Sequence, residues 1–447
     1  MSYMNSGRFL SGVALIALTL ASASAKPVLD PRIAAMARAV SAADLRADDT
    51  RLVDFYTRND FSEDLNSPTQ GVFAARDWIK SQFEAAAQKS AGRMTVSLDT
   101  YLQDKTARTP RAVTESSIIA TLRGDAPGPT YVMSSHYDDC DGDCTDGRGR
   151  APGADDNGSG ASAVLEAAKV MAAQQFHGTI IFAIFDGEEL GLWGSDHFAR
   201  ELRANGTNVV ADLNNDIIGT ANAPAGSADR HVVRVFSQGL PDDAKISAVN
   251  LAGSENDSPS REIARFVKST AEAYVRPMSA LLIYRADRFR RGGDQESFTA
   301  QGFPAIRFVE IHEDFRHQHQ NVRVENGVSY GDLPEYLDYA YLANVTRMNV
   351  TALAALALGP DQPGAVQILV SGLSNDSTLR WKAAARAASY EVVWRETSSP
   401  VWQHARNIGN VTQATVPVSK DNFILGVRSV DADGLRSPAV YPVAVRQ

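Results

Sequence analysis

The sequence predicts an α/β fold, a three-layer sandwich with a mixed, largely parallel sheet, followed by a small all-β sandwich. Helical and strand patterns alternate from about residue 52 to 358, as they do in α/β proteins. The segment TIIFAIFD, residues 179–186, contains an unbroken apolar run, which is typical of a central strand covered on both faces. Beyond residue 360 only short alternating runs remain, and a chain of 447 residues is too long for one core.

The N-terminus predicts a secretory signal peptide over residues 1–25. One basic residue, Arg8, precedes an apolar run over residues 9–20, and the small-residue sequence ASASA ends at Ala25. About twelve apolar residues are too few to span a bilayer as an ordinary helix, although an uncleaved anchor is the alternative. We therefore expect a periplasmic or secreted protein that begins near Lys26 and has no stable membrane span after signal cleavage.

Residues 26–360 form the first predicted domain, whose elements follow from the spacing of apolar residues. The predicted helices cover residues 71–87, 159–173, 259–274 and 341–357. The predicted strands cover residues 117–124, 130–139, 179–186, 211–219, 231–237 and 304–310. Such alternation favours a largely parallel sheet covered by helices.

Residues 361–447 form the second predicted domain. Short runs separated by turn residues cover residues 379–383, 389–396, 414–418 and 423–438, as in a small β-sandwich. This domain resembles a fibronectin type III module, with Trp381 in an early strand and Tyr390 opening the next. The resemblance implies an accessory role without chemistry.

Charge and cysteine content exclude several classes of site. The formal net charge of −9 argues against nucleic acid as a partner, because phosphate binding needs clustered Lys and Arg. The two cysteines, Cys140 and Cys144, leave a disulfide open and are too few for a structural zinc site. With Asp139 as its first position, an EF-hand would need Gly at Cys144 and Glu at Arg150, so that calcium motif is rejected.

Acidic side chains and one imidazole collect where predicted strands end, and in a parallel sheet such ends line one ligand crevice. The residues at strand ends are His136, Asp138, Glu188, Glu189 and Asp216, and Asp156 lies twenty residues after His136, ahead of the next predicted helix. Carboxylates that close together repel one another unless a cation neutralises them. Mixed imidazole and carboxylate ligands suit zinc, and a bridging carboxylate is typical of two-metal hydrolases.

Two other hydrolase signatures are absent from the sequence. In HEDFR, residues 312–316, Arg316 stands where the single-zinc motif H-E-x-x-H needs its second His. The stretch NGSGAS lacks the first Gly of a nucleophile elbow.

Four motifs in register then resemble those of the co-catalytic dizinc aminopeptidases: SSHYD, PGADDNGSG, FDGEELGLWGS and LNND. That family includes secreted bacterial leucine aminopeptidases, with glutamate carboxypeptidases, glutaminyl cyclases and transferrin receptors as relatives. The resemblance covers about residues 52–358 and implies two zinc ions (Zn2+) per chain. The implied metal ligands are His136, Asp156, Glu189, Asp216 and His319, with Asp156 bridging the two ions and followed by a cis peptide bond. The implied catalytic residues are Glu188, as general base, and Asp138, which orients the ring of His136.

Three assignments remain open at this point. Many relatives read acidic-x-aromatic-x-x-Gln-His-Thr where this chain reads EDFRHQHQ, which favours His319 over His317 and His312, although Gln320 replaces the Thr. Asp155 is expected in a turn or behind the ligands. Asp294, in GGDQESF, either faces the substrate pocket or caps a helix.

The resemblance implies a secreted zinc-dependent aminopeptidase, which hydrolyses the N-terminal bond of peptide substrates with a two-zinc-activated water. A carboxypeptidase or dipeptidase acting through the same site is an alternative, distinguished by a panel of substrates with free and blocked termini. A non-catalytic binding protein on this scaffold is a further alternative, which metal analysis would separate from the enzyme. The sequence predicts no oligomeric state.

Overall fold

The computed structural model describes residues 29–125, 127–222, 226, 228–240 and 253–446. The predicted signal peptide, residues 1–25, therefore lies outside the described residues. Among the helices that are described, none combines the length and the apolar character that crossing a membrane requires.

The helices are α1 (Pro31–Ala39), α2 (Ala42–Val53), α3 (Val72–Ala87), α4 (Gly160–Met171), α5 (Glu188–Gly191), α6 (Trp193–Ala204), α7 (Pro259–Tyr274), α8 (Gln295–Ala300) and α9 (Tyr339–Leu358). Strands of the first domain are β1 (Met94–Gln103), β2 (Val113–Leu122), β3 (Thr130–His136), β4 (Thr179–Phe185), β5 (Val209–Asn215), β6 (Val232–Ser237), β7 (Ser279–Ile283), β8 (Ala305–Glu310), β9 (Arg323–Glu325) and β10 (Val328–Tyr330). Those of the second are β11 (Gly364–Leu369), β12 (Ser377–Lys382), β13 (Ser389–Glu396), β14 (His404–Gly409), β15 (Gln413–Val416), β16 (Phe423–Val430) and β17 (Val443–Val445).

Several helices begin at side chains that satisfy free backbone N–H groups. Asp30, Ser41, Ser258 and Asp338 each accept such a hydrogen bond at the start of α1, α2, α7 and α9. In α1 and α7 a proline follows directly, where its missing N–H costs nothing. Local sequence thus fixes where these helices start.

An eight-stranded mixed sheet organises the first domain, in the order β1-β2-β4-β3-β5-β8-β6-β7. Its centre, β4-β3-β5-β8, is parallel. The β1/β2, β2/β4 and β6/β8 pairs are antiparallel. The carboxyl ends of four adjacent strands therefore meet at one edge of the sheet, which is where a ligand crevice is expected.

Strand β4 shows why the domain has three layers. Ile180, Phe182 and Ile184 pack into a core that also contains residues of α3, α4, α7 and α9. Ile181 and Phe185, on the opposite face of the strand, pack into a second core with residues of α6 and α8. Because successive side chains of a strand point to opposite faces, both faces of β4 are buried, which confirms the predicted α/β sandwich.

The sequence prediction placed the central strands and four long helices but not every element. Strand β3 ends at His136, so Asp138 lies in the following loop rather than on the strand. Strands β1 and β7, at the two edges of the sheet, were not predicted. An edge strand needs only partial burial, and β1 alternates buried or half-buried with exposed residues, which gives a weak apolar pattern.

Residues 361–446 form two small sheets, in the orders β15-β12-β11-β17 and β14-β13-β16. Between them lies a separate core that includes Trp381, Tyr390, Val392, Leu425 and Val427. An all-β second domain is thus present. The boundary near residue 360 and the likeness to a fibronectin type III module stay predictions.

Buried polar contacts join the two domains. Arg395 Nη2 on β13 lies 2.7 Å from Asp257 Oδ1, and Arg265 Nη1 on α7 lies 3.3 Å from the same oxygen. The indole N–H of Trp402 donates to Glu262 Oε2 at 2.9 Å. The second domain therefore packs against α7.

Candidate metal centre

Most of the predicted site residues follow the ends of the four parallel central strands. His136 is the last residue of β3, Glu188 and Glu189 follow β4, and Asp216 follows β5. His319 lies in the loop after β8. Asp156 lies in the turn Ala154–Ser159, which leads into α4 and in which Asp156 and Asn157 have non-helical backbone angles. Sheet topology thus brings together residues that lie up to 183 positions apart in sequence.

Asp156 lies between two groups of ligands. Its Oδ1 is 3.4 Å from His136 Nε2, which is itself 3.6 Å from Asp216 Oδ1. Its Oδ2 is 3.1 Å from His319 Nε2, which is 3.0 Å from Glu189 Oε1. The two carboxylate oxygens therefore face separate sets, each with one imidazole and one further carboxylate.

The donor atoms fit metal ions. Within the described residues, His136 Nε2, Asp216 Oδ1 and Glu189 Oε1 are buried and lack a hydrogen-bond partner. Buried polar atoms are rarely left without a partner, and imidazole nitrogens with carboxylate oxygens are donors that zinc accepts. The residues present are thus compatible with zinc in both groups.

Electrostatics favour positive charge in this cluster. The nearby Glu189 carboxylate raises the pKa of His319 to about 12. Although burial raises the pKa of Asp216, the neighbouring Arg307 guanidinium brings it below its ordinary value. Burial raises the pKa of Glu188 well above its usual range. The carboxylates would accordingly bind a cation strongly.

Asp138 organises both glutamates and one histidine. Its Oδ1 lies 3.3 Å from His136 Nδ1, and it accepts the backbone N–H groups of Glu188 and Glu189 at 3.2 and 3.0 Å. Such a carboxylate behind a ligating histidine fixes the orientation of the ring. Asp138 is thus placed beside the ring of His136, and its orienting role stays a prediction.

The segment around Asp156 is held by two further carboxylates. Asp332 accepts the backbone N–H groups of Asp155 and Asp156 at 2.9 and 2.8 Å, and Asp155 Oδ1 accepts that of Gly219 at 2.8 Å. The Asp156–Asn157 peptide bond is cis, as the family resemblance implies. Asp155 thus lies behind the ligands, whereas the sequence pattern did not identify Asp332.

Three of the late residues left open, His317, His319 and Asp294, take distinct positions. His319 adjoins Asp156 and Glu189, whereas the ring of His317 stacks on Tyr336 with centroids 3.8 Å apart. Asp294 is buried directly before α8, but its side chain makes no capping hydrogen bond. The cavity described next is not lined by Asp294.

A cavity of about 820 Å³ opens onto the cluster. Its acidic wall includes Asp156, Glu188, Glu189 and Asp216. Five arginines also line the cavity and are called the arginine wall: Arg108, Arg288, Arg290, Arg291 and Arg307, of which Arg307 pairs with Asp216. Sequence reasoning missed this arginine wall, although RADRFRR, residues 285–291, concentrates four of the chain's 44 basic residues.

Cys140 and Cys144 form a disulfide with their Cα atoms 4.7 Å apart. Their sulfur atoms lie within 4.8 Å of ligand atoms of Glu189 and His319. The acidic loop that follows β3 therefore lies beside the second group of ligands.

Comparison with known proteins agrees with this geometry. Residues 117–330 match the family model of peptidase family M28. A probable zinc metalloprotease of Leptosphaeria maculans is 43% identical over 423 residues, which cover 93% of this chain and 98% of the relative. A probable zinc metalloprotease of Pyricularia oryzae is 42% identical over 415 residues, covering 90% of this chain and 82% of the relative.

Solved structures share the fold. The LapA aminopeptidase of Legionella pneumophila is similar with a TM-score of 0.51 and 21% identity, covering 74% of this chain and 76% of that one. An aminopeptidase from an Aneurinibacillus strain has a TM-score of 0.51 and 14% identity, covering 73% and 96%. The match to the Leptosphaeria protein covers nearly the full length of both proteins, and residues 117–330 match the family model. This protein therefore belongs to peptidase family M28 and is a zinc metalloprotease.

Proposed function

We propose that this zinc metalloprotease is an aminopeptidase that binds two zinc ions per chain. The observation that carries the proposal is the position of Asp156, whose two oxygens face separate groups of ligand atoms. His136 and Asp216 would hold one ion, and Glu189 and His319 the other, with Asp156 shared. A single carboxylate between two such groups is the arrangement of two-metal hydrolases.

When bound, zinc lowers the pKa of a coordinated water toward neutrality and polarises the scissile carbonyl. Glu188 lines the cavity and lies on the His136 side, with its Oε2 4.0 Å from His136 Nε2. A carboxylate oxygen of Glu188 also lies within 4.8 Å of donor atoms of His136 and Asp216. With Asp156 completing that group, the Glu188 carboxylate would remain available to accept the proton of the attacking water. It then returns that proton to the leaving amine.

The acidic wall of the cavity supports the choice of an aminopeptidase. A free α-amino group is cationic at neutral pH and would bind beside carboxylates such as Glu189 and Asp156. Cleavage then occurs at the first peptide bond, because that bond lies next to the bound amino group.

We also propose that the protein acts in the periplasm or outside the cell. The pattern of residues 1–25 supports this location, and so does the disulfide between Cys140 and Cys144, since disulfides persist in oxidising compartments. N-terminal sequencing of the exported protein should begin near Lys26. Recovery of the chain only in the cytoplasm with residues 1–25 intact would contradict the location.

A peptide panel read by mass spectrometry tests the activity. Peptides with free N-termini should lose residues one at a time from that end, N-acetylated copies should resist, and a zinc chelator should abolish release. Internal fragments would contradict an exopeptidase, and equal cleavage of acetylated peptides would contradict an aminopeptidase.

The arginine wall favours a second candidate, a carboxypeptidase or dipeptidase acting through the same centre. Arg288 and Arg291 both contact Glu313. Arg108 and Arg290 have exposed side chains that line the cavity, and no acidic partner for them occurs among the described residues. Guanidinium groups bind carboxylates through paired hydrogen bonds, so this wall is suited to a C-terminal carboxylate.

Substrates with free or amidated C-termini separate the two candidates. For a carboxypeptidase or dipeptidase, amidation should lower kcat/KM by about 10- to 100-fold, the loss of one charge-assisted hydrogen bond. Arg290→Gln should then remove that preference, whereas Arg203→Gln, an exposed arginine on α6, should not. An aminopeptidase without a second recognition element should cleave both forms equally.

A further inference from the structure

A second cluster of buried carboxylates lies outside the zinc centre. Asp60 begins the short 3-10 helix Asp60–Leu65, Glu115 lies on β2, and Asp186 directly follows β4. Their relative exposures are only 3, 0 and 1%. One oxygen from each lies within 4.8 Å of the others. We refer to Asp60, Glu115 and Asp186 as the carboxylate triad.

The triad has few of the partners that buried carboxylates normally have: Asp186 Oδ2 accepts the backbone N–H of Ser116 at 2.9 Å, and the carboxyl groups of Asp60 and Asp186 interact with each other. Both oxygens of Glu115 and the Oδ1 atoms of Asp60 and Asp186 accept no hydrogen bond in the described part of the chain. The hydroxyl of Tyr101, the residue paired with Glu115 across β1 and β2, is likewise buried and without a partner. Within the residues that the structure describes, no basic side chain forms an ion pair with the triad.

Three ionised carboxylates cannot remain buried together without compensation. Burial and the charge of neighbouring carboxylates raise the pKa values of Asp60 and Glu115 well above their ordinary range. Either protons or a bound cation must therefore neutralise the triad. The unpartnered oxygens favour a cation, because a proton shared between two carboxyl groups leaves the remaining oxygens unpaired.

We propose that the triad binds a divalent, oxygen-preferring cation, and specifically calcium. The donors are all oxygens, and neither an imidazole nor a thiolate belongs to the cluster, so the site suits calcium rather than zinc. Ligand oxygens on opposite sides of a calcium ion lie about 5 Å apart. The spacing within the triad is therefore one that a single calcium ion can span.

The backbone leaves room for this arrangement. Gly187 has a φ of +73°, and a Cβ atom placed on it would lie 2.4 Å from Glu115 Oε2. Glycine adopts such a φ without strain and lets the Glu115 carboxylate approach the chain between Asp186 and Glu188. A side chain at position 187 would displace this carboxylate.

A cation bound to the triad would stabilise the segments that position the zinc centre. Asp186 lies two residues before Glu188, and Asp60 lies two residues after Arg58. Arg58 donates hydrogen bonds to the carbonyl oxygens of Pro152 and Gly153 at 2.7 and 2.9 Å, just before Asp156. The ion would thus tie together two segments that position metal-centre residues.

Metal content and thermal unfolding test the proposal on the full-length protein. Zinc, calcium and magnesium are measured by elemental analysis before and after treatment with EGTA, and the treated protein is titrated with CaCl2 and, separately, MgCl2. Glu115→Gln removes one charged ligand while keeping its size. Asp212→Asn is the matched control. Asp212 is a buried carboxylate elsewhere in the sheet, and it accepts a hydrogen bond from the Ser134 hydroxyl at 2.8 Å.

We expect wild-type protein to bind one calcium ion beyond its zinc, and its unfolding midpoint to rise with calcium concentration. Glu115→Gln should bind calcium at least about 10-fold more weakly while keeping its zinc, and Asp212→Asn should bind calcium as the wild type does. If Glu115→Gln fails to fold, EGTA-treated wild-type protein is first resupplied with zinc, and its unfolding midpoint should then rise further on addition of CaCl2.

Three outcomes would overturn the proposal. Wild-type protein that holds no cation beyond zinc and gains no stability from either salt would show that protons neutralise the triad. Unchanged calcium binding in Glu115→Gln would place the ion elsewhere. A third equivalent of zinc at the triad would refute the preference for calcium.

Discussion

Glu188 and Glu189 are adjacent in sequence, but substituting them should have different effects on zinc content and turnover. Glu189 Oε1 lies 3.0 Å from His319 Nε2, in one ligand group. Glu188 Oε2 lies 4.0 Å from His136 Nε2 and lines the cavity. We therefore substitute Glu188→Gln, which keeps the shape and one acceptor oxygen but removes the proton acceptor, and Glu189→Ala, which removes a ligand.

The structure sets the expected size of each effect. A positioned general base contributes about 10²- to 10⁴-fold to the rate, which corresponds to about 2.7 to 5.4 kcal/mol of activation free energy. Glu188→Gln should therefore lower kcat by that factor with zinc content unchanged, because both ligand groups remain complete. Glu189→Ala should lose about one zinc equivalent and most activity, because only Asp156 and His319 remain in its group.

Zinc stoichiometry and kcat are measured for both variants on the same preparations. Glu201→Gln, an exposed glutamate on α6, is the matched control and should behave as wild type. Loss of zinc in Glu188→Gln together with retention in Glu189→Ala would reverse the two roles. Full activity in both variants would mean that the metal centre lies elsewhere.

Two further substitutions test residues that support the site and the fold. Asp138→Asn should lower kcat/KM or zinc affinity by about 10- to 100-fold, because a neutral amide orients the His136 ring less well than a carboxylate does. An unchanged zinc titration with unchanged kinetics would refute this role. Arg395→Met should destabilise the protein by about 3 kcal/mol, near the low end for breaking a buried ion pair, since Asp257 still has Arg265 nearby. Urea unfolding measures the loss of stability. The control Arg406→Met, at an exposed arginine on β14, should leave the free energy of unfolding unchanged. Equal unfolding midpoints in both variants would show that the contact between the domains contributes nothing to stability.

The central strands and the proximity of the proposed ligands were predictable for a common physical reason. A parallel strand covered on both faces must be apolar throughout, so β4 stands out, and the polar residues directly after it are conspicuous. Sheet topology then brings strand ends together, which explains why His136, Glu189 and Asp216 could be placed near one another before any contact was known. The proximity of these side chains was therefore predictable from sequence, and their roles as zinc ligands stay predictions.

Features that depend on contacts between distant segments were not predictable in this way. Arg395 and Asp257 lie 138 positions apart, and each alone reads as an ordinary surface charge. Glu115 lies just outside the predicted strand 117–124, and only the fold shows it buried beside Asp60 and Asp186. Periodicity reports which residues are buried against apolar neighbours, but it does not report which charges meet.

Zinc content of the purified wild-type protein tests the two-metal centre most directly. Elemental analysis, after exchange into metal-free buffer, should give two zinc ions per chain, and Asp156→Ala should weaken the binding of both because its oxygens face both groups. One zinc ion or none in active wild-type protein, or an Asp156→Ala variant that still binds two as tightly, would contradict the account.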